Sequence, residues 1–406
     1  MNYLPLFKII LVDDINLGSL LLRNKNQMQT TFFIAGGGGI GRAAALLLEN
    51  DSTIDATIFL ADKSSEQLSN AINWISKAHG YTNVQTLEIK TLDDVELSQC
   101  LKKCDVILDC LPGSLATKLA KLAIEHNCHY ANLTEYVRET KEIADMTKDA
   151  KTGFVLQTGL APGYINILAR HLYNRFTEDH GAEHVDHMQM KVGALSKNAL
   201  APSHYAFTWS PIGVATEYVK DAIVVRDNEL KVIPALSGRS RITIDGNVYE
   251  DNYTSGGAAN LPSYYADRIK KIDYKTLRYP GHYKWVEKTL NKIPIAENRV
   301  EKLFHIMLEK IPVVDDDFVV IYASVSGWDG NGLLKSYEKS LRVDPLKIGH
   351  QKLRAIQSTT AAALCQMAVW LAKTNPSGVI YQTDVDPESF LNGKFVTLAY
   401  GRVLEE

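Results

Sequence analysis

Short apolar runs alternate with amphipathic stretches over residues 31–160. Each run is continuous and rich in β-branched and aromatic residues, which is typical of parallel strands covered on both faces. The stretches between them place apolar residues three or four positions apart, as helices with one buried face do. The predicted strands are 31–35, 56–62, 84–89, 105–111, 128–134 and 153–159. Six strands alternating with helices predict an α/β fold, a Rossmann doubly wound parallel sheet.

The pattern changes after Gly159, where the apolar positions begin to alternate with polar ones. A period of two predicts antiparallel strands, and turn signals such as Asp329-Gly330 separate them. A helix is predicted over 160–176, with Pro162 in its first turn, and a long apolar helix over 353–374 is expected to return to the first domain. We predict four parts. Residues 1–30 form an N-terminal extension and residues 31–160 a Rossmann domain. Residues 161–345 form an α+β domain with a mainly antiparallel sheet, for substrate binding and dimerisation, and residues 346–406 a C-terminal segment.

Composition narrows the class of protein. Of the 406 residues, 44 are Lys or Arg and 47 are Asp or Glu, which gives a formal net charge of −3. This balance lacks the basic surface that nucleic acids and anionic membranes attract. The five cysteines form no C-x-x-C pair, as expected for reduced thiols. We therefore expect a cytoplasmic protein with a small-molecule ligand and neither a nucleic-acid nor a membrane partner.

A glycine-rich loop follows the first predicted strand and opens the first helix. In the motif G-x-G-x-x-G a first glycine permits a tight turn, a second lets the backbone approach a pyrophosphate, and a third lets the helix pack on the strand. The helix N-terminus then favours the negative charge of that pyrophosphate. Lys-Ser/Thr, which a Walker loop requires, is replaced by Arg42-Ala43. The sequence predicts a dinucleotide site at Gly36, Gly38, Gly39, Ile40 and Gly41.

The ends of later strands extend this cofactor site. Asp62 ends the second strand 21 residues after Gly41, where a carboxylate binds the adenosine ribose and favours NAD over NADP. The neighbouring Lys63 keeps NADP as an alternative cofactor, because a cation beside the ribose could bind the 2′-phosphate. In doubly wound sheets ligands bind beyond the carboxyl ends of the strands. The further cofactor candidates, some of which could equally form plain β–α turns, are Cys110, Leu111, Pro112, Gly159 and Leu160.

Several segments resemble the saccharopine dehydrogenase family, and most closely its lysine 6-dehydrogenase-like branch. They are GGGGIGR, DVILDCLPG, GLAPGYINILA, FTWSPIGVATEY and TSGGAANLPSYYADRIKKIDYKTLRYPGH, within residues 31–345. The resemblance implies NAD(P)-dependent oxidation, or the reverse reduction, at a C–N bond of lysine or a lysine conjugate. It also implies a homodimer formed through the second domain. A cofactor-binding regulatory protein of the same fold without turnover is the alternative.

An amino-acid substrate needs a cation for its carboxylate and a group that takes a proton from its ammonium. Arg278 is the candidate for the carboxylate, because a guanidinium binds it with two parallel hydrogen bonds. His282 is the candidate for proton transfer, because histidine titrates near neutral pH. Glu135, just past the fifth strand, is expected to contact the amine or activate water. Solvated surface positions for Arg278 and His282, and a helix-start carboxylate for Glu135, are the alternatives.

Further candidates lie near these residues. Tyr279 and the segment Ser255-Gly256-Gly257 are assigned to substrate binding, although the two glycines could simply mark a sharp turn. Trp209-Ser210-Pro211 could line the pocket, or it could start a helix with Ser210 as its cap. A metal site is not expected, because the histidine run HGAEHVDH lacks both a cysteine partner and an H-E-x-x-H arrangement.

Overall fold

The computed structural model describes residues 29–135, 137–181 and 185–404. The predicted N-terminal extension therefore lies outside the described residues, except that residues 29 and 30 already belong to the first strand.

The six predicted strands form a parallel sheet in the order β3-β2-β1-β4-β5-β6, which confirms the Rossmann arrangement. Their bounds are β1 Gln29–Ala35, β2 Asp55–Asp62, β3 Gln85–Glu88, β4 Val106–Asp109, β5 His129–Asn132 and β6 Gly153–Val155. The helices between them are α1 Gly39–Glu49, α2 Ser65–Ser76, α3 Val95–Leu101, α4 Ala116–Glu125 and α5 Val137–Met146, with a single 3₁₀ turn at Gly113–Leu115. Small residues in α1, Ala43 to Ala45, are fully buried and let this helix lie close to the sheet.

A second sheet of eight strands follows and is mixed rather than purely antiparallel. Its main path runs β10-β11-β12-β7-β13-β14, and β8 joins β12 while β9 pairs with β8. The pair β12–β7 is parallel, and the other pairs are antiparallel. The strands are β7 Val185–Leu195, β8 Ala222–Arg226, β9 Glu229–Ile233, β10 Ser240–Ile244, β11 Asn247–Tyr253, β12 Lys271–Arg278, β13 Phe318–Trp328 and β14 Leu334–Val343. The helices of this domain are α6 Tyr164–His180, α7 Pro211–Val219, α8 Leu261–Tyr265, α9 His282–Leu290 and α10 Arg299–Lys310.

The start of α6 differs from the prediction. The helix begins at Tyr164 after Gly163, so Pro162 precedes the helix instead of occupying its first turn. Gly163 has φ +129°, and a Cβ there would lie 2.2 Å from the carbonyl oxygen of Gly159. The side-chain amide of Asn166 accepts the N–H of Gly163 and donates to the carbonyl of Gly257, which fixes the start of α6 to the turn at Gly257.

The C-terminal segment returns to the first sheet. It comprises β15 Leu346–Ile348, β16 Gln351–Leu353, α11 Ala355–Thr374, β17 Gly378–Ile380, α12 Pro387–Leu391 and α13 Lys394–Tyr400. β17 pairs in parallel with β6 and is a seventh strand that the sequence pattern did not predict. The side chain of Gln382 then donates to the carbonyls of Leu156 and Gln157, and so holds the end of β6.

One buried apolar cluster connects the three parts. It contains Leu46 of α1, Leu364 of α11, Leu168 of α6 and Ile321 of β13. A second cluster covers the other face of the first sheet, where Leu119 of α4 packs. Because one core is shared, the carboxyl ends of the first sheet face the second domain at a fixed distance. Among the described residues no helix is long and apolar enough to cross a membrane.

Candidate active site

A cavity of about 590 Å³ lies at the carboxyl ends of the first sheet and faces the second domain. The glycine loop and the turns after β4, β5 and β6 form one side of it. The start of α7 and the end of β12 form another, and the first turn of α11 closes it beside the glycine loop. The cavity thus collects residues from all three parts of the chain.

The glycine loop has the geometry that a dinucleotide needs. Gly36 has φ +105°, and a Cβ there would lie 2.9 Å from the carbonyl oxygen of Cys110. A Cβ on Gly41 would lie 1.8 Å from the carbonyl oxygen of Gly36, so only glycine lets α1 approach so closely. A Cβ on Gly38 would meet no atom within 4 Å. The loop is therefore open where a pyrophosphate would approach, and its residues fit that group.

Asp62 places its carboxylate beside this loop. Its Oδ2 accepts the N–H of Gly37 at 2.8 Å, and its Oδ1 accepts the N–H of Ser64 at 3.1 Å. The hydroxyl of Ser64 accepts the N–H of Gln67 and caps α2, while Lys63 is exposed. A fixed negative charge thus stands where an adenosine ribose is expected.

The turn after β4 is held by a buried carboxyl that the sequence reasoning missed. Asp109 accepts the N–H of Leu111 at 2.9 Å and the hydroxyl of Tyr130 at 2.6 Å. Burial raises the pKa of Asp109 to about 6, against the lowering effect of these two hydrogen bonds. The predicted cofactor residues of this turn and of the turn after β6 all line the cavity: Cys110, Leu111, Pro112, Gly159 and Leu160.

Arg278 lines the cavity from the end of β12 and is only 1% exposed. Its Nε donates to the hydroxyl of Tyr218 at 2.7 Å, and its Nη1 donates to the carbonyl of Leu277 at 2.9 Å. The guanidinium lies over the ring of Tyr205 at 4.7 Å. Among the described residues Nη2 has no hydrogen-bond partner, and it lies 3.6 Å from Oε2 of Glu217. Arg278 is therefore a rigid cation with one donor group left for a ligand.

Glu217 of α7 is a cavity residue that the sequence reasoning also missed. Burial raises its pKa to about 8; Arg278 opposes that rise and Glu135 adds to it. Burial likewise raises the pKa of Glu135, which also lines the cavity, to about 7. The sequence did contain a signal for Glu217, because it is the one charged residue of the mostly apolar helix PIGVATEYV.

His282 does not line the cavity, which corrects its assignment to proton transfer. It is fully buried behind Arg278, with Nδ1 2.7 Å from the carbonyl of Ser203 and Nε2 3.0 Å from the hydroxyl of Tyr218. Burial, reinforced by Arg278, lowers its pKa to about 3. A neutral ring with Nδ1–H donating to Ser203 leaves Nε2 to accept from Tyr218, whose oxygen accepts from Arg278. His282 is thus a positioning residue for Arg278.

The segment Ser255-Gly256-Gly257 does not line the cavity and forms the sharp turn of the alternative interpretation. Gly256 has φ +88°, and a Cβ there would lie 2.8 Å from Cβ of Glu135. The turn therefore packs behind Glu135. Tyr279 lies outside the cavity too, because its ring packs with that of Tyr249 at 6.2 Å in a separate cluster. Direct substrate contacts from these residues are not supported by their positions.

Trp209-Ser210-Pro211 combines both of its proposed roles. The three residues line the cavity, and the hydroxyl of Ser210 accepts the N–H of Gly213 at 3.2 Å to cap α7.

In the part of the chain that the structure describes, no group of three His, Cys, Asp or Glu residues could hold a metal ion.

Two family models match the chain. The saccharopine dehydrogenase NADP binding domain matches residues 32–156, and the saccharopine dehydrogenase C-terminal domain matches residues 159–392. Alpha-aminoadipic semialdehyde synthase of Arabidopsis thaliana is 26% identical over 264 residues, which is 62% of this chain and 23% of that protein. The mitochondrial synthase of Mus musculus is 24% identical over 265 residues, or 62% of this chain and 27% of that protein. The chain therefore spans about a quarter of the length of these relatives.

Two solved structures share the fold. Saccharopine dehydrogenase (L-Glu forming) of Saccharomyces cerevisiae is 14% identical with a TM-score of 0.69, covering 89% of this chain and 96% of that one. Homospermidine synthase of Legionella pneumophila, in complex with NAD, is 13% identical with a TM-score of 0.66, covering 94% of this chain and 92% of that one. The matched domains extend over most of the chain and include its glycine loop and its cavity. The chain carries a nicotinamide-dinucleotide-binding domain and belongs to the saccharopine dehydrogenase family.

Proposed function

We propose that the protein is an NAD(P)-dependent oxidoreductase that acts on a C–N bond of lysine or a lysine conjugate such as saccharopine. The observation that carries the proposal is one cavity, in which a dinucleotide loop faces a buried guanidinium and two partly buried carboxyl groups. A substrate with both a carboxylate and an ammonium complements these charges. The names of the similar synthases and dehydrogenase support an amino-acid substrate of lysine metabolism.

The glycine loop would hold the phosphates of the cofactor, and the turn after β4 would line its nicotinamide ribose. Bound nicotinamide supplies the acceptor for the hydride that leaves the amine-bearing carbon. Asp62 supports NAD as the preferred cofactor, because a carboxylate accepts hydrogen bonds from ribose hydroxyls and repels a 2′-phosphate. The exposed cation of Lys63 keeps NADP as a second possibility.

Arg278 lines the cavity and would bind the substrate carboxylate through Nη2, a buried group without a hydrogen-bond partner among the described residues. A guanidinium–carboxylate hydrogen bond is strong when water is excluded. The contacts with Tyr218, Tyr205 and the carbonyl of Leu277 fix the direction of this group. Arg278 thereby orients the amine end of the substrate toward the nicotinamide.

Glu135 and Glu217 would take the proton that an ammonium must lose before its carbon can be oxidised. A carboxyl with a pKa of about 7 or 8 is matched to this transfer near neutral pH. Ionised, the two groups also attract a cationic amine into the cavity. Lysine and saccharopine both present an ammonium and a carboxylate, as this arrangement requires.

Cofactor reduction by the full-length protein tests the proposal. NAD⁺ and NADP⁺ are each offered with L-lysine, saccharopine and related diamines, and the reduced cofactor is followed by absorbance. We expect turnover with at least one of these amines, and we expect Arg278→Ala to raise KM for it about tenfold or more without weakening NAD⁺ binding. Tight NAD⁺ binding without turnover for the whole panel would support the regulatory alternative instead.

A further inference from the structure

We propose that Arg354, which precedes α11, binds the pyrophosphate of the dinucleotide from a position beside the glycine loop. The inference rests on the proposed cofactor site and adds a residue far from it in sequence. Arg354 lies outside the matched NADP binding domain, which ends at residue 156. A phosphate contact from this position would make the C-terminal segment part of the cofactor site.

The side chain of Gln357 fastens the start of α11 to the glycine loop and also holds the backbone of Arg354. The side chain of Gln357 donates to the carbonyl of Gly39 at 3.0 Å, and its Oε1 accepts the N–H of Arg354 at 3.0 Å. Nη2 of Arg354 lies 3.5 Å from the position that a Cβ on Gly39 would occupy. Arg354, Gln357 and Gly39 all line the cavity. The guanidinium is thus held beside the N-terminus of α1, where the phosphates are expected.

A second guanidinium group, that of Arg42, lies close enough to Arg354 to interact with it. Arg42 of α1 stacks on the ring of Trp74 at 4.6 Å. Burial, and after it the proximity of Arg354, lower the pKa of Arg42, so the two guanidinium groups repel each other. Asp315 contacts Arg354 at 3.6 Å, but its side chain is 99% exposed and water screens the pair. A pyrophosphate in contact with both Arg354 and the loop would relieve the repulsion.

The N-terminus of α11 is itself not the anion site. The carboxylate of Asp317 accepts the N–H groups of Ala355 at 2.6 Å and of Ile356 at 2.8 Å. The positive end of this helix is therefore already matched by a carboxylate of the protein. The side chain of Arg354 is the group that faces the ligand.

The dissociation constant of ADP-ribose from the full-length protein, measured by calorimetry, tests the proposal. ADP-ribose carries the pyrophosphate and no nicotinamide, so no amine oxidation is needed. We expect Arg354→Gln to weaken ADP-ribose and NAD⁺ about tenfold, since a charge-assisted hydrogen bond contributes roughly that much. The affinity of the Arg354→Gln variant for ADP-ribose should also depend less on salt concentration. Arg354→Lys, which keeps the charge, should retain most of the affinity.

Lys352→Gln is the matched control, because it removes an exposed charge two residues away that does not line the cavity. Melting temperatures without ligand establish that the variants are folded. An unchanged dissociation constant in Arg354→Gln would overturn the proposal, and so would an equal loss in Arg354→Gln and Arg354→Lys. A raised KM for the amino acid with unchanged ADP-ribose binding would place Arg354 at the substrate instead. Because the dissociation constant of ADP-ribose decides the proposal, its result is separate from a failure of the proposed reaction.

Discussion

Buried charged side chains determine what the cavity can bind. Arg278 and Glu217 lie 3.6 Å apart, and each has an atom without a hydrogen-bond partner among the described residues. Such groups are costly to bury, because a buried charge without a full set of partners loses its hydration. A substrate with a carboxylate and an ammonium would supply the missing partners. At the scale of single residues, these charges therefore support the proposal of an amino-acid substrate.

Glu217→Gln tests the proton transfer. Burial raises the pKa of Glu217 to about 8, so the fraction of ionised base, and with it kcat/KM for amine oxidation, should rise with pH up to that value. In Glu217→Gln we expect kcat/KM to fall about a hundredfold and the upper ionisation to disappear from the pH profile. Glu297→Gln, at an exposed position, is the matched control. An unchanged profile in Glu217→Gln would exclude this carboxyl as the base.

The same substitution has an effect on stability that does not depend on substrate. The pKa of Glu217 is higher in the folded chain than in the unfolded one, so the folded state binds more protons between the two values. The free energy of unfolding should therefore fall as pH rises from about 5 to about 8. Denaturant titrations should show a smaller fall in Glu217→Gln, and an equal fall would indicate that the carboxyl is not perturbed.

The elements that position the site depend on close backbone contacts, and the glycine loop is the clearest case. A methyl group on Gly41 would overlap the carbonyl of Gly36, whereas one on Gly38 would meet no protein atom within 4 Å. Gly41→Ala should lower the free energy of unfolding by about 1–3 kcal/mol and weaken NAD⁺ binding. Gly38→Ala should leave stability nearly unchanged and weaken NAD⁺ binding alone, because its methyl group fills the space of the pyrophosphate. Equal stability of the two variants would contradict this assignment.

Elements that lie within an extended apolar run or beside a turn signal could be predicted from the sequence, and elements without such a pattern could not. The six strands of the first sheet and the hairpin between β13 and β14 were recognisable from apolar runs and from Asp329-Gly330. β17 has only three residues, Gly378–Ile380, and its strand state comes from pairing with β6. The parallel pair β12–β7 in the second sheet likewise depends on tertiary contacts that alternation does not reveal.

The candidate site was predictable where local backbone geometry imposes a residue type, as at Gly36 and Gly41. It was less predictable where a side chain acts through distant neighbours. His282 carries suitable chemistry in isolation, yet both of its nitrogens contact residues behind the cavity. Glu217 and Arg354 reach the cavity only because α7 and α11 fold back onto the strand ends.

At the scale of the whole molecule, three parts of the chain share one core and one cavity. The C-terminal segment completes the first sheet through β17 and closes the cavity through α11. A cofactor bound between the glycine loop and Arg354 would hold these parts together. The homodimer implied by the family resemblance stays a prediction.

The structure of a ternary complex tests the central claim most directly. Crystals of the full-length protein with NADH and L-lysine would contain an unreactive pair, because a reduced cofactor cannot accept a further hydride. We predict the pyrophosphate on the glycine loop, the nicotinamide beside Leu111 and Pro112, and the lysine carboxylate on Nη2 of Arg278. An amine should then lie within hydrogen-bond distance of Glu135 or Glu217. Lysine bound elsewhere, or bound here with its carboxylate away from Arg278, would contradict the proposed site.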